Sequence, residues 1–498
     1  MIKILKFFIC GAFCSLLFPP FLILPFGFIV FPILFYLIRY DNKTQVKKIS
    51  QFIYGISFGL GLCLILLNWI KEPFFVNPTT QNLSLLSYLV PLYISIYFGI
   101  IFLLLSFFKK DSSKIILIPV LFLLAEIVRE YFLYGFPWAT FALAISGNNL
   151  LLQLIYFIGT NGSSLLILYI FLIPVVLAMI HTKENLLFAK IYMTVFVLFF
   201  LLFSLLIYHK FNFIDKNNNL FDINFSINQL NIKNTEKITD DDKINIIKNI
   251  LKIINKQNNT IHIFSETDFP YTIENNNIVN FFQDKLTNNN SIIIGGIRKE
   301  NNQYFNSMYF ISKNNYQYFD KKILVPFGEF LPLRNKLKFF ETFIGKVDLQ
   351  RGNNSRDISI FKGLYFIPVI CYEIIFFNNI INNSNSTYPL LINITNDTWF
   401  GDFSGPYQHF YLSRLRSVEF NKHLIRVSNN GVSATIDNNG KIIQYIPLNL
   451  QRSDFFKINI PKETKNIYIY HSIIYIIILL LILLTFFIEI IIVKENKT

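Results

Sequence analysis

Of four cysteines in the 498-residue chain, three lie in long apolar runs, and Cys371 alone falls in a mixed-composition region. It stands where the strongly apolar stretch 365–370 ends, and Tyr372 and Glu373 follow it. A strand end is a rigid support that opens to solvent, which suits a reactive group. A buried structural thiol is the simpler reading of Cys371 taken alone. A catalytic cysteine attacks as thiolate, so a neighbour must take its proton or lower its pKa. Glu266 occupies the same kind of place after the strand-like stretch 261–264, in the polar turn Ser265-Glu266-Thr267-Asp268-Phe269-Pro270, where plain solvation would also account for it. The third element is the loop 319–332, which holds Lys321 and Glu329. Prolines and a glycine fix it, yet Phe, Leu and Val line it, and lining a site is one reason for a loop to be that apolar. His409 leaves a Cys–His pairing open. No paired Cys/His spacing suggests zinc, so neither metal nor cofactor is expected.

The elements that must position these residues lie between 209 and 470. Residues 223–231 alternate like a strand, and Asp240-Asp241-Asp242 opens a helix in which Ile244, Ile247, Leu251 and Ile254 repeat at helical spacing. Strands are expected at 261–264, at 291–294 (stopped by Gly295-Gly296), and at 308–311, 365–370, 390–394, 424–428 and 432–436. Helices are expected at 278–286 and 406–422. Alternating strand and helix blocks over this length predict an α/β layered domain.

The rest of the chain is of another kind. The whole is 53% hydrophobic and 15% charged, against about a quarter charged for an ordinary soluble protein. Apolar runs near 3–18, 21–38, 52–70, 85–108, 115–134, 163–181, 188–208 and 473–493 predict eight membrane spans. The first pair reads as a hairpin through Phe18-Pro19-Pro20-Phe21 and not as a cleaved leader. This gives a membrane domain of seven spans at 1–208, an α/β domain at 209–470, and an eighth span with a cytoplasmic tail at 471–498. With the N-terminus inside, thirteen of the fifteen Lys and Arg in the membrane parts fall on the cytoplasmic side, and residues 209–470 fall outside. The net charge of +14 is divided evenly between the two parts, so it calls for no nucleic-acid partner. Arg129, set between Glu126 and Glu130, reads as a self-neutralising helical group.

The segment Asp320-Lys321-Lys322-Ile323-Leu324-Val325-Pro326-Phe327-Gly328-Glu329-Phe330-Leu331-Pro332, with Ile370-Cys371-Tyr372-Glu373, resembles the nitrilase (carbon–nitrogen hydrolase) superfamily and, more narrowly, the apolipoprotein N-acyltransferase family. Asn396-Asp397-Thr398-Trp399-Phe400-Gly401-Asp402, Gly405-Pro406-Tyr407-Gln408-His409 and Arg426-Val427-Ser428-Asn429-Asn430-Gly431 fit the same resemblance, as do Phe18-Pro19-Pro20-Phe21 and Gly135-Phe136-Pro137-Trp138 in the membrane half. The resemblance implies a nitrilase-like α-β-β-α sandwich inserted before the last of eight spans. It implies a catalytic triad of Glu266 as base, Lys321 as oxyanion partner and Cys371 as nucleophile. Glu329, Glu373 and Tyr372 are carried over as supporting residues, and Asn396, Trp399 and Phe400 as substrate-pocket residues, with packing an equal reading for Trp399. It further implies acyl transfer from a phospholipid, through a Cys thioester, to diacylglyceryl-cysteine apolipoproteins, by a multi-pass enzyme of the bacterial inner membrane whose catalytic domain faces the periplasm. A membrane-tethered carbon–nitrogen hydrolase is the alternative. A transporter with an inert outer domain is disfavoured, since no internal repeat is evident. Two departures stand out: Phe264-Ser265 replaces the family's common Trp-Pro before the base, and residues 232–238 lack the aromatic that often helps close the pocket.

Overall fold

A computed structural model describes the chain except residues 44–46, 215–219, 233–237, 288, 339–340, 342–344, 346, 383–386, 465–467 and 496–498. The departure noted at 232–238 therefore lies almost wholly outside the described residues. The chain divides into two compact units. One comprises Met1–Asn68, Leu86–Asn217 and Ile467–Thr498; the other comprises Trp69–Leu85 and Asn218–Asn466. The sequence reading set residues 1–208 apart as a whole, whereas Trp69–Leu85 clusters with the α/β unit.

The first unit is helical. Among the described residues, Lys48–Leu66, Pro78–Leu105 (which belongs to this unit from Leu86 onward), Gln153–Thr182 and Leu186–Asn212 are long and apolar enough to cross a membrane. Further helices cover Ile2–Cys14, Gly27–Lys43, Asp111–Tyr131 and Ile473–Glu495. The first two are short, with 13 and 17 residues, and the third carries five charged side chains. Glu126 and Arg129, expected as a self-neutralising group that ties this helix to its neighbours, both reach the segment 139–141. Glu126 accepts from the backbone N–H of Phe141 (2.7 Å) and from the Thr140 hydroxyl (2.8 Å), and Arg129 donates to the Ala139 carbonyl (2.6 Å). Their charge satisfies the backbone of a buried non-helical segment that would otherwise leave polar groups unpaired in an apolar setting.

The second unit holds two six-stranded sheets. The first runs β12-β1-β2-β3-β4-β5, with β1 Leu220–Gln229, β2 Thr260–Ile263, β3 Ser291–Glu300, β4 Gln303–Ser312, β5 Tyr316–Asp320 and β12 Arg452–Pro461. The second runs β11-β10-β9-β8-β7-β6, with β6 Ile358–Phe361, β7 Leu364–Ile370, β8 Leu390–Thr395, β9 His423–Ser428, β10 Ser433–Ile436 and β11 Ile442–Ile446. The central strands β1, β2 and β3 are parallel, as are β7, β8 and β9. The fully buried centre of each sheet explains the near-continuous apolar runs of β7 and β8.

Helices Asp240–Ile254 and Asn277–Lys285 cover the first sheet, where Ile250, Ile254, Ile278 and Phe282 pack on Phe264, Ile292, Ile294 and Tyr309. Of the expected stripe, Ile254 is buried and Ile247 and Leu251 pack against the cluster, joined by Ile250 and Ile253, whereas Ile244 is exposed. Thr239 caps that helix in a reciprocal box with Asp242. Helix Gly405–Glu419 packs against β9 of the second sheet.

β3 does not stop at Gly295-Gly296 but continues to Glu300. The glycines serve another purpose. A Cβ on Gly295 would lie 2.7 Å from Glu266 Cα and from the Thr267 backbone nitrogen, so only a glycine lets the Glu266 turn lie on the strand. Backbone bonds from Gly295 N to the Ser265 carbonyl and from Phe269 N to the Gly295 carbonyl fix that seat. Gly295→Ala should therefore shift the turn, lowering stability by about 1–3 kcal/mol in thermal unfolding, and should slow labelling of Cys371 by substrate more than the fold loss explains.

Candidate active site

Three strand ends converge. β2 leads into Glu266, β5 into Lys321 and β7 into Cys371. Each side chain is buried, with Lys321 only 1% exposed. The Lys321 ammonium donates to Glu329 Oε1 at 2.9 Å and to Glu266 Oε1 at 3.2 Å. Asn306, from the middle of β4, donates to the same two oxygens at 2.7 and 2.8 Å. Glu266 Oε2 accepts from the backbone N–H of Asn396 at 2.8 Å. One cation is thus held between two carboxylates, and one amide bridges the two acids. Burial works to lower the Lys321 pKa, but Glu266 and Glu329 outweigh it and hold the ammonium well above its ordinary value.

The loop after Lys321 closes on itself through Glu329. Val325 N donates to Glu329 Oε2 (2.8 Å), and Glu329 N donates to the Val325 carbonyl (2.9 Å). The position of Lys321 is set from behind by Asp320, which takes two bonds from Arg298 (3.0 and 2.6 Å) and one from Ser307 (2.5 Å). The turn carrying Glu266 is built by Ser265, whose backbone N–H and hydroxyl both donate to Asp268 at 2.7 Å. Burial raises the Asp268 pKa to about 7.

Cys371 has a backbone φ of +49°, the left-handed region that a non-glycine residue adopts at a cost of about 1 kcal/mol or more. The turn swings the thiol off the end of β7. Burial pushes the thiol pKa well up, and Glu266 adds to this; Lys321 and a hydrogen bond with Thr395 act the other way. At neutral pH the resting group is therefore the thiol. Behind it, Asp397 accepts from Arg426 (2.6 Å) and Thr395 (3.0 Å) and bonds His409 Nδ1 (2.8 Å). Arg426 and His409 more than offset burial and hold the Asp397 carboxyl far below its usual range, while burial, with Arg426, lowers the His409 pKa. His409 Nδ1 is engaged by Asp397.

Of the expected supporting residues, Glu329 joins Glu266 and Lys321 directly. Glu373 is fully buried and turned elsewhere: it takes both arms of Arg356 (2.8 and 3.0 Å) and the backbone N–H groups of Ile370 (2.9 Å) and Lys322 (2.8 Å). Arg356 outweighs burial and lowers the Glu373 pKa. One carboxylate thereby ties the residue before Cys371 to the residue after Lys321. Tyr372 is buried, which raises its phenol, and it packs edge-on against Phe376. Asn396 accepts from Thr398 while its own N–H holds Glu266. Trp399 is 42% exposed, so packing does not account for it, whereas Phe400 packs edge-on against Trp69 (4.8 Å) and His409 (5.4 Å). Asn306, Arg356, Thr395 and Arg426 escaped the sequence reading of the site's roles. For Asn306 the available signal was a polar Asn306-Ser307 pair interrupting an apolar strand.

Residues 10–172 match the family model described as the apolipoprotein N-acyltransferase N-terminal domain, and residues 254–449 match that of carbon-nitrogen hydrolase. An apolipoprotein N-acyltransferase of Rickettsia bellii (strain RML369-C) is 32% identical over 357 residues, covering 69% of this chain and 70% of its own. That of Rickettsia prowazekii (strain Madrid E) is 29% identical over 467 residues, 91% of each chain. Among solved structures, a CN-hydrolase superfamily protein of Xanthomonas campestris aligns with 48% of this chain and 91% of its own, at 16% identity and a TM-score of 0.37.

Two expectations follow from the geometry. Lys321→Ala should cost about a hundredfold or more in Cys371 acylation and also lower the melting temperature, because Glu266 and Glu329 lose their shared counter-charge. Lys322→Ala, one residue away, should stay near wild type in both, and equal tolerance would remove Lys321 from the chemistry. Asp268 bears on pH. Its pKa is raised on folding, so its stabilising contribution is complete below the unfolded value and is lost as pH rises through about 7. Melting temperature in detergent, scanned from pH 5 to 8, should fall in the wild type more than in Asp268→Asn.

Proposed function

The chain belongs to the apolipoprotein N-acyltransferase family, and we propose that it transfers an acyl chain from a phospholipid to the N-terminal amine of diacylglyceryl-cysteine in apolipoproteins. The observation that carries this reading is the meeting of Glu266, Lys321 and Cys371 at three strand ends of a carbon–nitrogen hydrolase-like α/β unit in a chain with membrane-length helices.

The reaction runs in two halves. The buried thiol gives its proton to Glu266 as sulfur attacks the ester carbonyl of the donor. The tetrahedral oxyanion is stabilised by the Lys321 ammonium and by the backbone N–H that follows Cys371. The carbon–oxygen bond breaks, Glu266 returns the proton to the departing lysophospholipid, and a thioester remains on Cys371. In the second half the acceptor amine attacks the thioester and Glu266 takes the amine proton. The carbon–sulfur bond then breaks, and the proton returns to sulfur. Lys321 remains an ammonium throughout, as the two carboxylates around it favour. Glu329 keeps the ammonium aimed when Glu266 is protonated, so the cation does not lose its seat midway through the cycle.

Eight spans in the inner membrane, with the α/β unit on the periplasmic side, complete the proposal. The thirteen cytoplasmic Lys and Arg support that orientation. Both substrates are lipids, which gives the helical part a purpose: it keeps the catalytic unit at the bilayer surface where the substrates are.

Intact-mass analysis of the full chain in phospholipid should show an acyl adduct that Cys371→Ser lacks and Glu266→Gln forms more slowly. An adduct persisting in Cys371→Ser, or none in the wild type, would overturn the assignment. A phosphatase fused near residue 350 should be active outside the cytoplasm and one fused near residue 45 should not; the reverse would overturn the orientation.

A further inference from the structure

Strands β7 and β8 run parallel with Ile370 opposite Ile394, so Cys371, just past the end of β7, stands beside Thr395, the last residue of β8. Thr395 is fully buried, and its side chain is hydrogen-bonded with the Cys371 thiol. Its hydroxyl also donates to Asp397 Oδ1 at 3.0 Å. The next residue, Asn396, gives its backbone N–H to Glu266 Oε2 at 2.8 Å. Two neighbours in the chain therefore reach the nucleophile and its base.

A hydroxyl has one proton to give and lone pairs with which to accept. At rest Asp397 claims that proton. Arg426 at 2.6 Å and His409 Nδ1 at 2.8 Å engage the same carboxylate, outweigh its burial and keep it ionised. An ionised carboxylate only accepts, so the threonine proton points at Asp397 and the threonine oxygen is left to accept from the thiol. For the same reason Asp397 is a poor base: it orients the hydroxyl and leaves the sulfur's proton to Glu266.

The demand reverses when the sulfur ionises. Burial works hardest against the thiolate, and Glu266 and Asp397 add to this, while Lys321 favours it. A buried anion in that setting needs a donor, and the Thr395 hydroxyl is already hydrogen-bonded with the sulfur. Rotation about the Cβ–Oγ1 bond carries its proton from Asp397 to sulfur without displacing a heavy atom. Asp397 keeps His409 on Oδ1 and Arg426 on Oδ2, so neither carboxylate oxygen is orphaned by the turn.

We propose that Thr395 is a further catalytic residue, a hydroxyl switch that accepts from the Cys371 thiol at rest and donates to its sulfur once the proton has passed to Glu266. The proposal rests on the acyl-transfer reading above. The switch acts twice. In acylation the thiol proton goes to Glu266 as the sulfur–carbon bond forms, and the Thr395 hydroxyl steadies the sulfur while it carries charge. In aminolysis the carbon–sulfur bond breaks with its electron pair leaving on sulfur, and the same hydroxyl receives that charge until Glu266 returns the proton. The hydroxyl's own proton never leaves its oxygen.

The test uses the full-length protein in detergent. Thr395→Val keeps the branched shape that a strand favours and lacks the hydroxyl, and Thr395→Ser keeps the hydroxyl. Alkylation by iodoacetamide, read by mass on the Cys371 peptide, follows the thiolate with no acyl donor present. Between pH 7 and 9, Thr395→Val should react roughly tenfold or more slowly than wild type, and Thr395→Ser should regain most of the rate. With phospholipid, Thr395→Val should lose a similar factor in maximal acylation rate with KM little changed, and it should slow aminolysis of the preformed thioester by a diacylglyceryl lipopeptide. Thr395→Ala supplies a second hydroxyl-free variant should valine disturb the fold. A wild-type alkylation rate in a folded hydroxyl-free variant would overturn the switch. So would equal loss in Thr395→Val and Thr395→Ser, which would assign the effect to packing. Absence of any acyl adduct in the wild type would overturn the acyl-transfer reading, and the alkylation rates would still decide whether Thr395 serves the sulfur.

Discussion

The buried Lys321 ammonium is the interaction on which the rest of the site depends. A lone cation taken out of water is strongly disfavoured, and a pair of carboxylates in the same place would repel each other. Glu266 and Glu329 around Lys321 resolve both problems, and Asn306 locks the arrangement by bonding both acids. The groups to which the proposed reaction assigns polarising the carbonyl and moving the proton are therefore parts of one electrostatic unit. Their geometry is fixed before any substrate arrives, which is what transition-state stabilisation by preset charges requires.

Around that unit the protein uses buried charge as a structural clamp. Arg356 and Glu373, both fully buried, join the strand before the nucleophile to the loop after the lysine. Arg426, Asp397 and His409 form a second buried group against the back of Cys371. Such pairs add little net stability compared with apolar packing, but removing one partner leaves an uncompensated charge and is severely destabilising. They suit a site in which a left-handed cysteine, an ammonium and a glutamate on three different strands must hold to within fractions of an ångström.

The helical unit follows the same logic with fewer charges. Glu126 and Arg129 are spent on the backbone of the buried segment around Ala139 and Phe141, where no water would satisfy it. Trp69–Leu85, which leaves one apolar helix and enters the next, belongs with the α/β unit and lines a cavity of that unit through Glu72, Phe75 and Val76.

Much of this was legible in the sequence because it is local. Apolar length marks membrane-length helices, alternation marks strands, and the motifs around Lys321 and Cys371 resemble one family, whose membership the relatives then established. The strand ends that carry Glu266 and Cys371 were visible as the points where apolar runs stop. What escaped depends on partners distant in the chain. Gly295-Gly296 looked like a strand stop because glycine commonly marks one, but the strand continues, since the glycines make room for a turn some thirty residues earlier. Ile244 is exposed although Ile247, Leu251 and Ile254 of the same repeat pack on the core, because helical spacing gives a stripe but not how much of its length the core covers. β5, β6, β11 and β12 were missed because their residues are only partly buried and alternate weakly. Glu373 resembled a partner for Lys321, and only the fold could show that Arg356 claims it. The sequence alone determined the residue types, the local elements and the family resemblance, because these follow from short-range pattern. The tertiary structure decided which charge meets which, because a charge takes the partner that the fold brings within hydrogen-bonding distance, however far away it lies in the chain.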